Sequence, residues 1–264
     1  MQAIDVHTHA FPDEIARRAM PELEAEANWT ASLDGRVGSL LDSMDAAGVA
    51  VSVVGAIATK PDQPEGILRW CEEIRSERLA PFPSLHPRTP DAAGWVRRFA
   101  EAGFKGVKLH PMYQDFAVDE PGMLDIYAAL AEAGLVVLLH CGRDVAFPPD
   151  DDRATPDRTR RALDATAGMK LVASHMGGWR MWDESDELLV GTDCWMETSF
   201  SLHELPAERA VRMIRAHGID KVMFGTDSPW AGQAEEIERV RSLGLSPAEL
   251  EKVLYANAAQ LLGP

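Results

Sequence analysis

Glu132-Ala133-Gly134-Leu135-Val136-Val137-Leu138-Leu139-His140 carries a helix end, a stop and a buried strand within nine residues. Glycine just past a helix adopts the left-handed conformation that satisfies the last carbonyls. The unbroken apolar run after it marks a strand covered on both faces, as parallel strands are. The same succession returns at Ala46-Ala47-Gly48-Val49, Glu101-Ala102-Gly103-Phe104, Ala167-Gly168-Met169 and Ala216-His217-Gly218-Ile219. Helix starts agree with these stops. Thr155-Pro156 and Ser246-Pro247 each place a hydroxyl at the cap and proline at the first helical position, and Glu249 completes a capping box with Ser246.

Working outward, the pattern predicts eight strands, over residues 3–9, 49–57, 79–86, 104–110, 135–140, 170–175, 194–200 and 221–227, each followed by a helical segment. Eight alternating βα units point to a closed parallel barrel, a single (β/α)8 TIM barrel. A chain of 264 residues suits one such domain over 1–264. The rival, an open doubly wound sheet, is disfavoured because no glycine-rich phosphate fingerprint follows the first strand. The longest irregular stretches, near 10–37, 111–121, 141–155 and 176–183, follow strands one, four, five and six. All four would lie at the C-terminal mouth, where loops build active sites in this fold.

A formal net charge of −16 argues against nucleic acid as a partner, since a polyanion is repelled by that field. Three isolated cysteines, Cys71, Cys141 and Cys194, suit a reducing compartment rather than a disulfide framework. No apolar run is long enough to span a bilayer, and no basic segment precedes an apolar one at the start, so a cytoplasmic protein is expected. The expected partner is a small molecule, without nucleic acid or membrane; assembly into a homo-oligomer stays open.

The histidines point to chemistry. Five of the eight expected strands end in His, at His9, His86, His110, His140 and His175, and the eighth ends in Asp227. Parallel strands of a barrel bring all these ends to one mouth. His7 and His9 are two apart on a strand, so both face the same way. Neutral imidazole suits zinc and related divalent metals, and Asp adds charge. Such an ion lowers the pKa of water from ~15.7 to about 7. A carboxylate beside it takes the proton, and the oxyanion that forms is neutralised by the ion and by His175 or Lys108.

These residues resemble the amidohydrolase superfamily. The resemblance rests on Asp5-Val-His7-Thr-His9, His140, His175, Gly225-Thr-Asp227-Ser-Pro229 and the terminal Asn257-Ala258-Ala259, in order along essentially the whole chain. It is closest to the amidohydrolase-related branch that contains decarboxylases and lactone hydrolases. It implies that His7, His9, His140 and Asp227 bind the metal and that Asp227 is also general base. His175 would ligate a second metal or polarise and protonate the substrate. Lys108, in Val107-Lys108-Leu109-His110, stands where two-metal members carry a bridging Glu or carboxylated Lys, so one or two ions of Zn2+ or Mn2+ are both open. Lys in place of Glu, with the negative charge, counts against a nuclease.

The implied activity is hydrolysis of a C–N or C–O bond in a small molecule such as a cyclic amide, lactone or ester. Decarboxylation of a small unsaturated or aromatic acid is the alternative, and a binding barrel without turnover the third reading. Candidate substrate contacts are His110, Arg143, Trp179 and Trp230, with Arg180 and Trp182 nearby. His86 reads as structural or pocket-lining, His203 has no nameable partner, Asp150-Asp151-Asp152 reads as a solvated loop, and His217 reads as a cation complementing a helix C-terminus.

Overall fold

In a computed structural model that describes residues 2–263, eight parallel strands run in sequence order: β1 Ala3–Thr8, β2 Val49–Gly55, β3 Leu79–Phe82, β4 Gly106–Leu109, β5 Val136–Leu139, β6 Lys170–Ala173, β7 Trp195–Glu197 and β8 Val222–Met223. Regular pairing joins β1-β2-β3 and β4-β5-β6-β7-β8. Two seams close the ring. The Lys108 amide donates to the Pro83 carbonyl between the β3 and β4 sides (3.0 Å), and Val6 and Asp227 donate to Phe224 and His7 across β8 and β1 (3.0 and 2.8 Å). The closed (β/α)8 barrel is therefore the fold, with helices packed outside.

Alternation along the strands divides the apolar residues between two cores. Val136 and Leu138 join Ile4, Val6, Val172 and Met223 inside the barrel. Their neighbours Val137 and Leu139 join Val107 and Leu109 against Val96 and Phe99 of α4 (Ala92–Glu101) and Ile126 and Leu130 of α5 (Pro121–Glu132). On β4 and β5 the same alternation turns Lys108, His110 and His140 inward. The β1–β2 register slips between Asp5 and Thr8, the stretch holding His7.

The remaining helices are α1 (Asp13–Ala27), α2 (Val37–Ala47), α3 (Pro64–Ile74), α6 (Pro156–Ala165), α7 (Trp182–Leu188), α8 (Ala207–His217), α9 (Gln233–Arg241), α10 (Pro247–Glu251) and α11 (Asn257–Leu262). Thr155 caps α6 by accepting from the Arg158 amide, and the Ser246–Glu249 capping box is present at α10. Two expectations need correction. Strands are shorter than the apolar runs, so His86 and Asp227 fall four residues beyond β3 and β8. Residues 10–37 are not irregular: they hold the 15-residue α1, with Pro21 inside it. Among the described residues no helix is long and apolar enough to cross a membrane.

Candidate metal centre and active site

The barrel mouth holds a cavity of about 480 Å³. His9, His110, His140, His175 and Asp227 line its floor, and Arg143, Trp179 and Trp230 line its walls. The mouth thus gathers the expected site residues, with His7 and Lys108 fully buried beneath. His86 is absent from this wall; its Nδ1 accepts from the Arg88 amide (3.0 Å).

His7 Nε2, His9 Nε2 and Asp227 Oδ1 form a triangle with every side 3.2 Å. That is the spacing one ion bonded to each at about 2.0–2.2 Å would set. The outer nitrogens are already committed. His7 Nδ1 donates to Glu197 Oε1 (3.0 Å), and His9 Nδ1 donates to the Gly55 carbonyl (2.8 Å). An acceptor on one ring nitrogen fixes the proton there, so each Nε2 presents a lone pair, that of His7 with Lys108 Nζ 2.7 Å away.

The second pair of imidazoles repeats the arrangement. His140 Nε2 donates to the Arg143 carbonyl and His175 Nδ1 to the Ser199 carbonyl, both at 3.0 Å. Their remaining nitrogens, His140 Nδ1 and His175 Nε2, face each other at 3.0 Å. Four inward lone pairs thus meet in two close contacts, which repel unless a proton or a cation lies between them. Burial holds His7 and His140 well below the usual imidazole range, so neither readily supplies that proton. The donor chemistry fits a divalent ion. The structure pairs His140 with His175 rather than drawing it into the His7–His9–Asp227 triangle.

Asp227 is shaped by opposing effects. Burial pushes its carboxyl up, but the imidazoles of His7, His175 and His9 outweigh that and hold it far below the carboxylate range. Lys108 Nζ lies 2.7 Å from His7 Nε2, and burial brings its ammonium down to about 8 despite Asp227 and Glu197. Both Asp227 (φ 63°) and His175 (φ 60°) take left-handed backbone, unusual outside glycine and a mark of constrained sites.

Sequence reasoning does not single out Glu197, yet it organises the floor. Fully buried at the end of β7, it accepts from His7 Nδ1, the His175 amide (2.9 Å), the Ser199 amide (2.6 Å) and Ser199 Oγ (2.7 Å). Gly225 makes room for it: a Cβ there would lie 2.3 Å from Glu197 Oε2. His110 Nε2 meets Asp144 (3.3 Å), and its ring stacks on His140 at 4.0 Å between centroids. Also unforeseen are Phe11, Glu22, Glu26 and Trp29, brought to the wall by α1 and its flanks.

Groups around the mouth are engaged with their neighbours. Arg180 is paired with Glu204 and lies over the Trp179 ring, so its charge is engaged. Trp182 donates to the His175 carbonyl (3.1 Å). His217 is not a cation at a helix end: burial lowers it, Nδ1 accepts from the Gly191 amide and Nε2 donates to the Cys194 carbonyl. His203 packs against Phe200 and Trp29.

A search of curated proteins finds no match. Solved structures share the fold. An uncharacterised TIM-barrel protein from Bordetella bronchiseptica is 18% identical, with a TM-score of 0.75 over 99% of this chain and 98% of its own. A candidate 2-pyrone-4,6-dicarboxylic acid hydrolase from Pseudomonas putida is 18% identical (TM-score 0.70, 99% and 97% covered). A 5-carboxyvanillate decarboxylase from Novosphingobium aromaticivorans, complexed with manganese and a nitrobenzoic acid, is 16% identical (TM-score 0.73, 99% and 96% covered). The amidohydrolase family matches residues 4–263. The chain therefore belongs to the amidohydrolase family and is an enzyme of that superfamily.

Proposed function

We propose that the chain is a single-domain, divalent-metal-dependent hydrolase that cleaves a C–O or C–N bond in a small cyclic molecule such as a lactone, cyclic amide or ester. The observation that carries this is the set of four imidazoles whose outer nitrogens are tied to oxygen acceptors, leaving four inward-facing lone pairs near the Asp227 carboxylate, one of them met by Lys108 Nζ. His7, His9 and Asp227 would hold a first ion, Zn2+ or Mn2+. His140 and His175 would share either a second ion or a proton. Bound there, a divalent ion supplies Lewis acidity to a water and to the scissile carbonyl.

This chain's own residues do the rest. Glu197 and the Gly55 carbonyl fix the tautomers and orientation of His7 and His9. Asp227 Oδ1 faces those rings, which leaves Oδ2 to take a proton from the attacking water. If a proton rather than a second ion lies between His140 and His175, His175 Nε2 would pass it to the leaving group. Lys108 adds positive charge beneath the developing oxyanion. Phe11, Tyr113, Trp179 and Trp230 give the walls an aromatic surface suited to one flat ring.

Decarboxylation of an aromatic acid is the second reading. It is favoured by those walls and by the fold shared with decarboxylases. The deciding experiment is metal analysis of purified protein, followed by a panel of lactones, cyclic amides, esters and aromatic acids. Proton release and CO2 release are followed separately. We expect one or two divalent ions per chain and a newly formed carboxylate without CO2, with net proton release for a lactone or ester and none for an amide, whose amine takes the proton up. CO2 release selects the decarboxylase, and metal-free protein that added Zn2+ or Mn2+ does not rescue removes the metal-dependent reading.

A further inference from the structure

Asp227 is held in a backbone conformation that its own side chain disfavours. Its φ of 63° lies in the left-handed region, where a Cβ crowds the following carbonyl. Such a residue persists only where its surroundings over-determine it. The Asp227 amide is tied to the His7 carbonyl (2.8 Å), and the residues on either side are tied to each other. Thr226 Oγ1 accepts from the Ser228 amide (3.0 Å), which closes a loop around Asp227. The proton of that hydroxyl goes to Asp5 Oδ2 (2.7 Å), and the Thr226 amide donates to Asp5 Oδ1 (3.1 Å).

Asp5 is fully buried, and a carboxylate so placed is costly unless it is hydrogen-bonded throughout. Each of its oxygens takes two donors. Oδ1 accepts from the amides of His7 (3.2 Å) and Thr226, and Oδ2 accepts from the Thr226 hydroxyl and from Gln233 Nε2 (2.8 Å). Gln233, the first residue of α9 and equally buried, also donates to Ser52 Oγ on β2 (3.1 Å). Its Oε1 has no partner among the described residues, so this amide is turned to serve Asp5 and Ser52 at its own expense. Backbone bonds from Val6, Asp227 and His9 already join β1 to the β8 side. What Asp5 adds falls on the His7 amide and on the residues flanking Asp227.

We infer that Gln233, Asp5 and Thr226 are positioning residues, forming a hydrogen-bonded chain that runs from α9 to the backbone on either side of Asp227 and aims its carboxylate at His7 and His9. This deepens the reading of Asp227 as metal ligand and base and rests on it. Asp227 Oδ1 stands 3.2 Å from both Nε2 atoms, so a turn of the backbone at this one residue moves the oxygen off both at once. None of the three residues touches the reacting atoms. Their effect passes through Asp227, as partners behind a metal ligand act on the ion they never contact.

The test uses purified full-length protein stripped of metal and titrated with Zn2+ against a chromogenic chelator. Amide hydrogen exchange over residues 224–230 is followed on the same metal-free samples. Thr226→Val keeps the shape and removes the hydroxyl, Thr226→Ser restores it, and Gln233→Leu removes the outermost donor. Phe99→Leu, in the outer core, lowers stability without touching the chain of bonds. We expect Thr226→Val to bind Zn2+ about 10–100-fold more weakly than wild type and to exchange faster over 224–230. Thr226→Ser should stay within a few-fold of wild type, with Gln233→Leu between the two. Phe99→Leu should lower Tm and keep wild-type Zn2+ affinity; a merely structural role for Thr226 would make Thr226→Val behave the same way. Wild-type affinity in Thr226→Val, a Thr226→Ser variant as weak as Thr226→Val, or exchange over 224–230 that Thr226→Val leaves unchanged overturns the assignment. Wild-type protein that binds no Zn2+ sinks the metal reading, and the exchange difference between Thr226→Val and Thr226→Ser then decides this one by itself.

Discussion

Asp227→Asn keeps an oxygen facing His7 and His9 but replaces the proton-accepting oxygen with an amide nitrogen. Under the proposed mechanism this variant retains half or more of its metal and loses turnover by roughly 10²–10⁴. His7→Ala removes the lone pair shared with His9 and Asp227, so metal and activity should fall together. Near wild-type turnover in Asp227→Asn would move the base elsewhere, with His175 next. Lys108 separates one ion from two. Its Nζ sits on the lone pair that the first ion would use, and Lys108→Met preserves buried volume. We expect full metal and lost turnover in that variant; loss of one of two ions per chain would identify a carboxylated bridge instead. The convergence of His7, His9, His140, His175 and Asp227 at one mouth was legible because parallel strand ends, which apolar runs mark, meet there. Glu197 was hidden inside such a run, Cys194-Trp-Met-Glu-Thr-Ser-Phe200. Its signal was there to use, since a carboxylate in a strand buried on both faces needs partners.

Element boundaries were less legible than element order. Hydrophobic runs report burial, and the mouth of this barrel stays buried for several residues after strand pairing stops, as between Met223 and Asp227. The opposite failure hid α1. Its core-facing residues are only Ala16, Met20 and Ala27, and Pro21 interrupts its hydrogen bonding, so neither periodicity nor propensity announces a helix. In α9 the pattern conceals a buried carboxyl. Burial raises Glu236 from 4.5 to about 7; Arg239 opposes the shift and Asp5 adds to it, and Oε2 has no partner. The folded state therefore binds this proton more tightly than the unfolded chain. Its contribution to stability is complete below pH 4.5 and is lost as pH rises through about 7. Glu236→Gln should be more stable than wild type at pH 8 by about 1–3 kcal/mol and should show little gain at pH 4.5. Thermal melts at both pH values check this, and an equal gain at each would refute the buried-charge account.

At the scale of the molecule, the metal site and the closure of the barrel are one problem. β1 and β8 are first and last in the chain, and the seam between them depends on few backbone bonds: Val6 to Phe224, Asp227 to His7 and His9 to Ser228. β8 is only two residues long, so regular pairing does little there. The triangle proposed to hold the first ion spans this seam, with His7 and His9 on one side and Asp227 on the other. Without a metal ion, two imidazole nitrogens and a carboxylate oxygen stand 3.2 Å apart across the seam and repel one another, offset in part by the Lys108 ammonium 2.7 Å from His7 Nε2. An ion there would reverse that repulsion and tie the chain's two ends together. Binding to the folded state alone stabilises it by about 4 kcal/mol at a thousandfold excess over the dissociation constant. For a chain of this size that corresponds to a rise in Tm on the order of 10 °C. Location tests the idea more sharply than magnitude. Chelation should raise amide hydrogen exchange first in residues 3–9 and 222–229, with β4 to β6 little changed until global unfolding. Restoring Zn2+ or Mn2+ should reverse it. Exchange that rises uniformly around the barrel, or a Tm indifferent to metal, would show that the seam closes without the ion.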